Sequence, residues 1–133
     1  MIVVDTSVLV DLFKGCRTPA VERFRTIEHE AIPYLLPAVC CQELLQGARD
    51  EREWRLLEDY LGVQRILSCS DVRSTRTRAA RIYFECRRQS IQVRSTIDCL
   101  VAQLVLDADG VLLHDDRDFE LIKEVRPLKT IRS

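Results

Sequence analysis

The chain has 133 residues, 47% hydrophobic and 31% charged, with a net charge of −1. That length suits one domain with a sizeable core, and the charge excludes a uniformly basic nucleic-acid binder. No apolar run approaches the ~20 residues of a membrane-spanning helix, and no basic-then-apolar leader opens the chain, so a cytoplasmic protein without membrane attachment is expected.

In chain order, Ile2-Val3-Val4 is a short β-branched run that suits a buried strand ending at Asp5. Residues 8–13 form an apolar helix closed by Gly15. After Pro19, the residues Val21, Phe24 and Ile27 recur at helical spacing. A second strand is expected at 34–36, followed by a helix from Pro37 through Gly47. Residues 50–61 read as a charged helix with Trp54, Leu57 and Leu61 on one side. A third strand is expected at 63–67. A long arginine-rich helix spans 71–89, its buried side supplied by Ala79, Ala80, Ile82, Tyr83 and Cys86. An almost wholly apolar helix covers 97–108 and ends at Gly110. Strands at 111–113 and 128–131 complete the chain. No repeat or linker interrupts it, so residues 1–133 read as a single domain. Short apolar strands alternating with helices call for a mostly parallel sheet covered on both faces, and ligands of such sheets gather beyond the strands' carboxyl ends.

The six cysteines form no C-x-x-C pair, and neither histidine stands at zinc-finger spacing from them. They read as small buried hydrophobes.

Four acidic positions are unusual for their surroundings. Asp5 sits at a strand exit, as a helix N-cap or as a metal ligand. Glu43 shares a helix face with Val39 and Cys40 rather than with polar residues, whereas a solvent-facing glutamate belongs opposite the apolar side. Gly47 beside it would allow a backbone or ligand to come close. Asp98 could close a capping box with Ser95. At ~100° per residue, however, it lies about 140° from Gln103, which with Asp107 forms the polar stripe of its helix. It lines up instead with Ala102 and Val105. A carboxylate heading an apolar stripe is costly unless a cation compensates it. His114-Asp115-Asp116-Arg117-Asp118 follows the fourth strand, either as a solvated turn or as a cation site, since clustered carboxylates repel one another. Oxygen ligands without Cys or His suit Mg²⁺ or Mn²⁺.

Residues 71–97 carry seven arginines against two acids, a basic segment in a nearly neutral chain. It is either a solvated helix face or a phosphate-binding surface. Arg87, Arg88 and Arg94 are the favoured contacts because they lie nearest Asp98 in sequence, and Arg117 adjoins the last acidic cluster. Only Tyr83 and Phe84 lie near the run, so strong base stacking on a single-stranded platform is not expected.

The segments Ile-Val-Val-Asp5-Thr6-Ser7, Glu43 after Pro37-Ala38-Val39, Ser95-Thr96-Ile97-Asp98-Cys99-Leu100-Val101-Ala102 and Leu112-Leu113-His114-Asp115-Asp116-Arg117-Asp118-Phe119 together resemble a PIN domain. More narrowly they resemble the VapC toxins of type II toxin–antitoxin systems, over the whole chain. The resemblance implies a three-layer α/β/α sandwich and a Mg²⁺- or Mn²⁺-dependent ribonuclease acting on RNA, such as a structured tRNA. It also implies a homodimer and silencing by a VapB-type antitoxin. It carries the metal-binding and catalytic roles onto Asp5, Glu43, Asp98 and Asp116, a secondary metal role onto Asp118, and an active-site hydroxyl onto Thr6 or Ser7. Asp115 competes with Asp116 for the fourth place. The rival readings are a non-catalytic module on the same scaffold and a DNA-directed metal nuclease. A phosphoacceptor domain fits poorly, because Asp71 comes too late after the third strand and position 7 is Ser.

Overall fold

Short runs of Val, Ile and Leu can satisfy their backbone groups out of water only by pairing side by side. The computed structural model describes residues 1–131. In it β1 (Ile2–Val4) is central, paired in parallel with β2 (Tyr34–Pro37) on one side and β4 (Val111–Leu113) on the other. β3 (Ile66–Leu67) extends the sheet beyond β2, and β5 (Thr130–Ile131) beyond β4. The order is β3-β2-β1-β4-β5, with every pairing parallel.

The helices are α1 (Thr6–Phe13), α2 (Pro19–His29), α3 (Ala38–Gln46), α4 (Glu51–Gly62), α5 (Val72–Arg88), α6 (Thr96–Asp107) and α7 (Arg117–Ile122). They cover the two faces of the sheet, which makes the three-layer α/β/α sandwich expected from the strand–helix alternation. The pleat divides the core. Val3 and its register partner Leu112 pack with Ile82, Val101, Val105 and Phe119 on one face. Val4 and its partner Leu113 pack on the other with Val8, Leu9, Phe24 and Leu36. Full burial of each such side chain contributes ~1.5–3 kcal/mol. The chain winds outward from β1 through β2 to β3, then returns to β4 on the far side of β1. That reversal is a topological switch point, where sheets of this kind form a binding crevice beyond the carboxyl ends of the strands, here those of β1 and β4.

Several expectations need correction. The third strand is only Ile66–Leu67, because α4 runs on to Gly62 and leaves Val63 83% exposed at its end. Trp54 is 39% exposed and is not part of the buried side of α4. On α5, Ala80 faces solvent and Tyr83 is half-buried, so Ala79, Ile82 and Cys86 carry the packing. Gln103 is buried rather than facing water. Its Nε2 donates to Asp107 Oδ1 at 2.8 Å, and Asp107 in turn accepts from Thr75 and Arg78 of α5. The polar stripe of α6 therefore faces a neighbouring helix.

Gly15 does adopt the left-handed backbone that closes α1 (φ 77°). After α6 it is Asp109 that turns left-handed (φ 49°), and Gly110 serves close packing instead. A Cβ there would lie 3.3 Å from both Met1 O and Val3 Cγ2. Gly47 simply ends α3, and no crowding requires a glycine there. Helix α7 was not expected at all. All six cysteines are free, with Cys40, Cys86 and Cys99 buried.

Candidate metal centre

The strand exits deliver two of the acids. Asp5 follows β1 and caps α1, where its Oδ2 accepts from Ser7 N (3.0 Å) and Ser7 Oγ (2.7 Å). Its Oδ1 faces the buried Cys40 thiol at 3.8 Å. Of the two roles open to Asp5 in the sequence, helix cap and metal ligand, the cap is formed. Ser7 Oγ also accepts the backbone N–H of Asp115 (3.0 Å), so one hydroxyl ties the end of β1 to the end of β4. Thr6 Oγ1 donates to Glu43 Oε1 at 2.9 Å and anchors the glutamate of α3 toward the same crevice. Both hydroxyls left open in the sequence are thus used, one on each acid.

Asp116 caps α7, its Oδ1 accepting from Asp118 N at 2.9 Å. Its own N–H donates to Nδ1 of His114 (3.1 Å), a ring with no solvent exposure whose Nε2 meets Glu120 Oε2 at 2.9 Å. Accepting at Nδ1 leaves Nε2 as the protonated nitrogen, donating to Glu120. Thr130 and Lys123 also hold Glu120. Burial pushes the Glu120 carboxyl up, but the hydrogen bonds from Lys123 and His114 outweigh it and hold the carboxyl below its usual range. Sequence reasoning missed His114. The signal was present, since a histidine directly after a fully buried strand, two residues before a capping acid, can reach that acid's backbone.

The remaining acids come from α6 and α7. Ser95 caps α6, but Asp98 does not close a capping box. Asp118 takes that position, its Oδ2 accepting the backbone N–H groups of Arg94 and Ser95 at 3.0 Å each. Asp98 is 6% exposed, and its buried Oδ2 accepts no hydrogen bond from any described residue. Asp98, Asp116 and Asp118 each offer an oxygen within 4.8 Å of the others. This triple is tighter than the four-acid set expected from sequence. Asp5 and Glu43 stand beside it and act on it through their charge. Asp115 is exposed and lies outside the triple.

Burial pushes the Asp98 carboxyl up to about 9, and the charges of Asp5 and Asp116 add to the rise. Asp5 is raised chiefly by burial, against the opposing hydrogen bonds from Ser7. Glu43 is raised by burial, with Asp5 and Asp116 contributing. Among the described residues the cation paired with the triple is Arg94, whose Nε lies 3.8 Å from Asp118 and whose side chain is 80% exposed. Such a set of buried oxygens is unfavourable without a cation among them. An orphaned carboxylate oxygen inside an all-oxygen donor set fits a hard divalent ion.

The arginines fall in two groups. Arg94 and Arg117 line a groove of about 600 Å³ that includes Asp118. Arg87 and Arg88 are exposed at the end of α5, over the rings of Tyr83 (5.9 Å) and Phe84 (5.6 Å).

The PIN-domain family model matches residues 2–125. The chain is 33% identical over 130 residues to Ribonuclease VapC11 of Mycobacterium tuberculosis, covering 97% of this chain and 96% of the relative. The VapC ribonuclease Mb1587 of Mycobacterium bovis matches with the same identity and coverage. Among solved structures, VapBC-1 from nontypeable Haemophilus influenzae superposes with a TM-score of 0.73 at 19% identity, over 98% of this chain and 97% of that one. VapBC2 from Rickettsia felis, bound to a DNA fragment from its promoter, gives a TM-score of 0.74 at 14% identity, covering 98% of each chain. At these identities the two structures speak to the fold.

Proposed function

The chain belongs to the PIN-domain family, among its VapC ribonucleases, and from that membership we propose that it is the metal-dependent ribonuclease toxin of a type II toxin–antitoxin system, hydrolysing RNA phosphodiester bonds. The observation that carries the site assignment is the orphaned Asp98 oxygen within a three-aspartate cluster. One domain, residues 1–133, holds the whole apparatus.

Asp98 and Asp116 would hold the ion, with Asp118 as a secondary ligand already half-committed to the backbone of Arg94 and Ser95. Asp5, fixed by Ser7, completes the negative wall on the sheet side. When bound, Mg²⁺ or Mn²⁺ lowers the pKa of water and offsets charge gathering on the phosphate oxygens. Glu43, held by Thr6 and raised in pKa, orients the attacking water and accepts its proton. Water adds to phosphorus, the ester P–O bond breaks, and the leaving oxygen takes a proton from solvent. Arg87, Arg88, Arg94 and Arg117 supply the positive surface without which the acids would repel the substrate. A folded RNA such as tRNA is the expected substrate, in the cytoplasm.

The partner is a VapB-type antitoxin, with the toxin itself a homodimer. A groove of about 720 Å³ between α1, α3 and α4, lined by Val10, Phe13, Leu44 and Leu56, runs up to Glu43. Phe13 and Leu56 are 45% and 61% exposed. An antitoxin anchored there by apolar side chains has direct reach to the acids.

The test is incubation of the purified protein with total RNA in Mg²⁺ or Mn²⁺, beside Asp5→Ala and Asp98→Ala controls. Cleavage that needs the ion and disappears in both variants supports the proposal; equal cleavage by all three would sink it.

A further inference from the structure

Three grooves connect the acidic cluster to the exposed face of α5. The one containing Asp118, Arg94 and Arg117 also includes Ser90, Ile91 and Gln92. Those three residues recur in a second groove of about 330 Å³, which continues to Tyr83 and Arg87. Tyr83 and Arg87 in turn border a third, of about 530 Å³, reaching Arg81 and Phe84 over the small side chains of Thr77 and Ala80. The result is one path with arginine at every stage.

The α5 end of the path has a specific construction. Thr77, Ala80 or Arg81, Phe84, and Arg87 or Arg88 recur at three- and four-residue intervals, so they share a helix face. The Arg81 guanidinium lies 4.7 Å from the centroid of the Phe84 ring, Arg88 lies 5.6 Å from the same ring, and Arg87 lies 5.9 Å from that of Tyr83. Arg78 is committed to Asp107, whereas among the described residues neither Arg87 nor Arg88 pairs with a carboxylate. Flat guanidinium–ring pairs are surfaces on which unpaired bases stack, while a duplex keeps its base faces covered. The scarcity of aromatics that argued against stacking is offset by where the two available rings sit.

Resting on the nuclease reading above, we propose that this path is the track for a single-stranded segment of the RNA substrate. Its phosphates lie on Arg117 and Arg94 beside the acids. Its bases stack on the Tyr83–Arg87 and Phe84–Arg81 pairs.

Binding of a fluorescein-labelled single-stranded 15-mer RNA, measured in an Asp98→Asn background to prevent turnover, tests the track. Phe84→Leu keeps the apolar contact but removes the ring, and is expected to weaken binding ~10-fold with the salt dependence unchanged. Arg94→Gln with Arg117→Gln is expected to reduce the slope of log Kobs against log[salt] by about 1.4, at ~0.7 per phosphate contact on single strands. A duplex of the same sequence should bind with no sensitivity to Phe84→Leu. Thermal melts of both variants confirm folding. Wild-type affinity and slope in both variants, or equal losses on the duplex, overturn the track. So does a variant that dissociates the dimer while keeping its RNA affinity, which would assign the face to a second copy of the chain. Because binding is read without turnover, a protein that binds as described but does not cleave RNA removes the nuclease reading alone. One that cleaves, but whose variants bind like the wild type, removes the track alone.

Discussion

Replacing Asp98 with asparagine should make the metal-free protein more stable. The side chain keeps its shape, its charge is lost, and an amide N–H replaces one oxygen beside Asp116 and Asp118. In the folded chain the Asp98 carboxyl is raised from 3.8 to about 9. Between those values the folded state holds a proton that the unfolded state has released, so stability falls as pH rises through this window. At ~1.4 kcal/mol per pH unit, the three-unit gap at pH 7 sets an upper bound of about 4 kcal/mol. Water reaching the crevice reduces this to ~1–2 kcal/mol, or ~3–8 °C in Tm for a chain of this length. Circular-dichroism melts in EDTA at pH 5 and pH 8 provide the readout. The wild type should lose more stability than Asp98→Asn on going to pH 8, and Mg²⁺ should restore the wild type only. An asparagine variant that melts lower in EDTA, or shows the same pH dependence as the wild type, refutes the reasoning.

Thr6→Val removes the hydroxyl that stabilises ionised Glu43; the pH–rate profile should move to higher pH, with kcat about tenfold lower near neutrality. His114→Leu leaves the Asp116 N–H and the Glu120 carboxylate without their shared partner, and calorimetric Mn²⁺ affinity should fall ~10–100-fold, as when other groups that orient ligands are removed. Gly110→Ala places a methyl 3.3 Å from Met1 O and Val3 Cγ2; an overpacking cost of ~1–3 kcal/mol should appear as a lower denaturation midpoint, with Mn²⁺ affinity unaltered because the contact is at the opposite end of β1 from the acids.

Much of the fold was legible because its strands are chemically simple. Ile2–Val4 and Val111–Leu113 are apolar on both faces, which only a covered parallel sheet accommodates, and each runs directly into an acid-bearing turn. The burial of Asp98 followed from helical phase, although the phase reference was misleading. Gln103 and Asp107 mark contacts to Thr75 and Arg78 on α5, a pairing of residues about thirty positions apart that no local periodicity encodes. Helix α7 is six residues long, under two turns, and its only local signs were the Asp116 cap and the Phe119–Ile122 spacing. For the same reason Asp118 read as a spare ligand, when one of its oxygens caps the start of α6. The shift in weight from Asp5, Glu43, Asp98 and Asp116 to the tight triple of Asp98, Asp116 and Asp118 depends on that cap, which forms only once α6 and α7 pack together.

The central claim, that these carboxylates form one divalent-metal site, is tested most directly by Mn²⁺ binding followed by electron paramagnetic resonance on the wild type, Asp98→Ala, Asp116→Ala and Asp115→Ala. Binding should be strong in the wild type and in Asp115→Ala, and lost in the other two. Equal binding by all four proteins would contradict it.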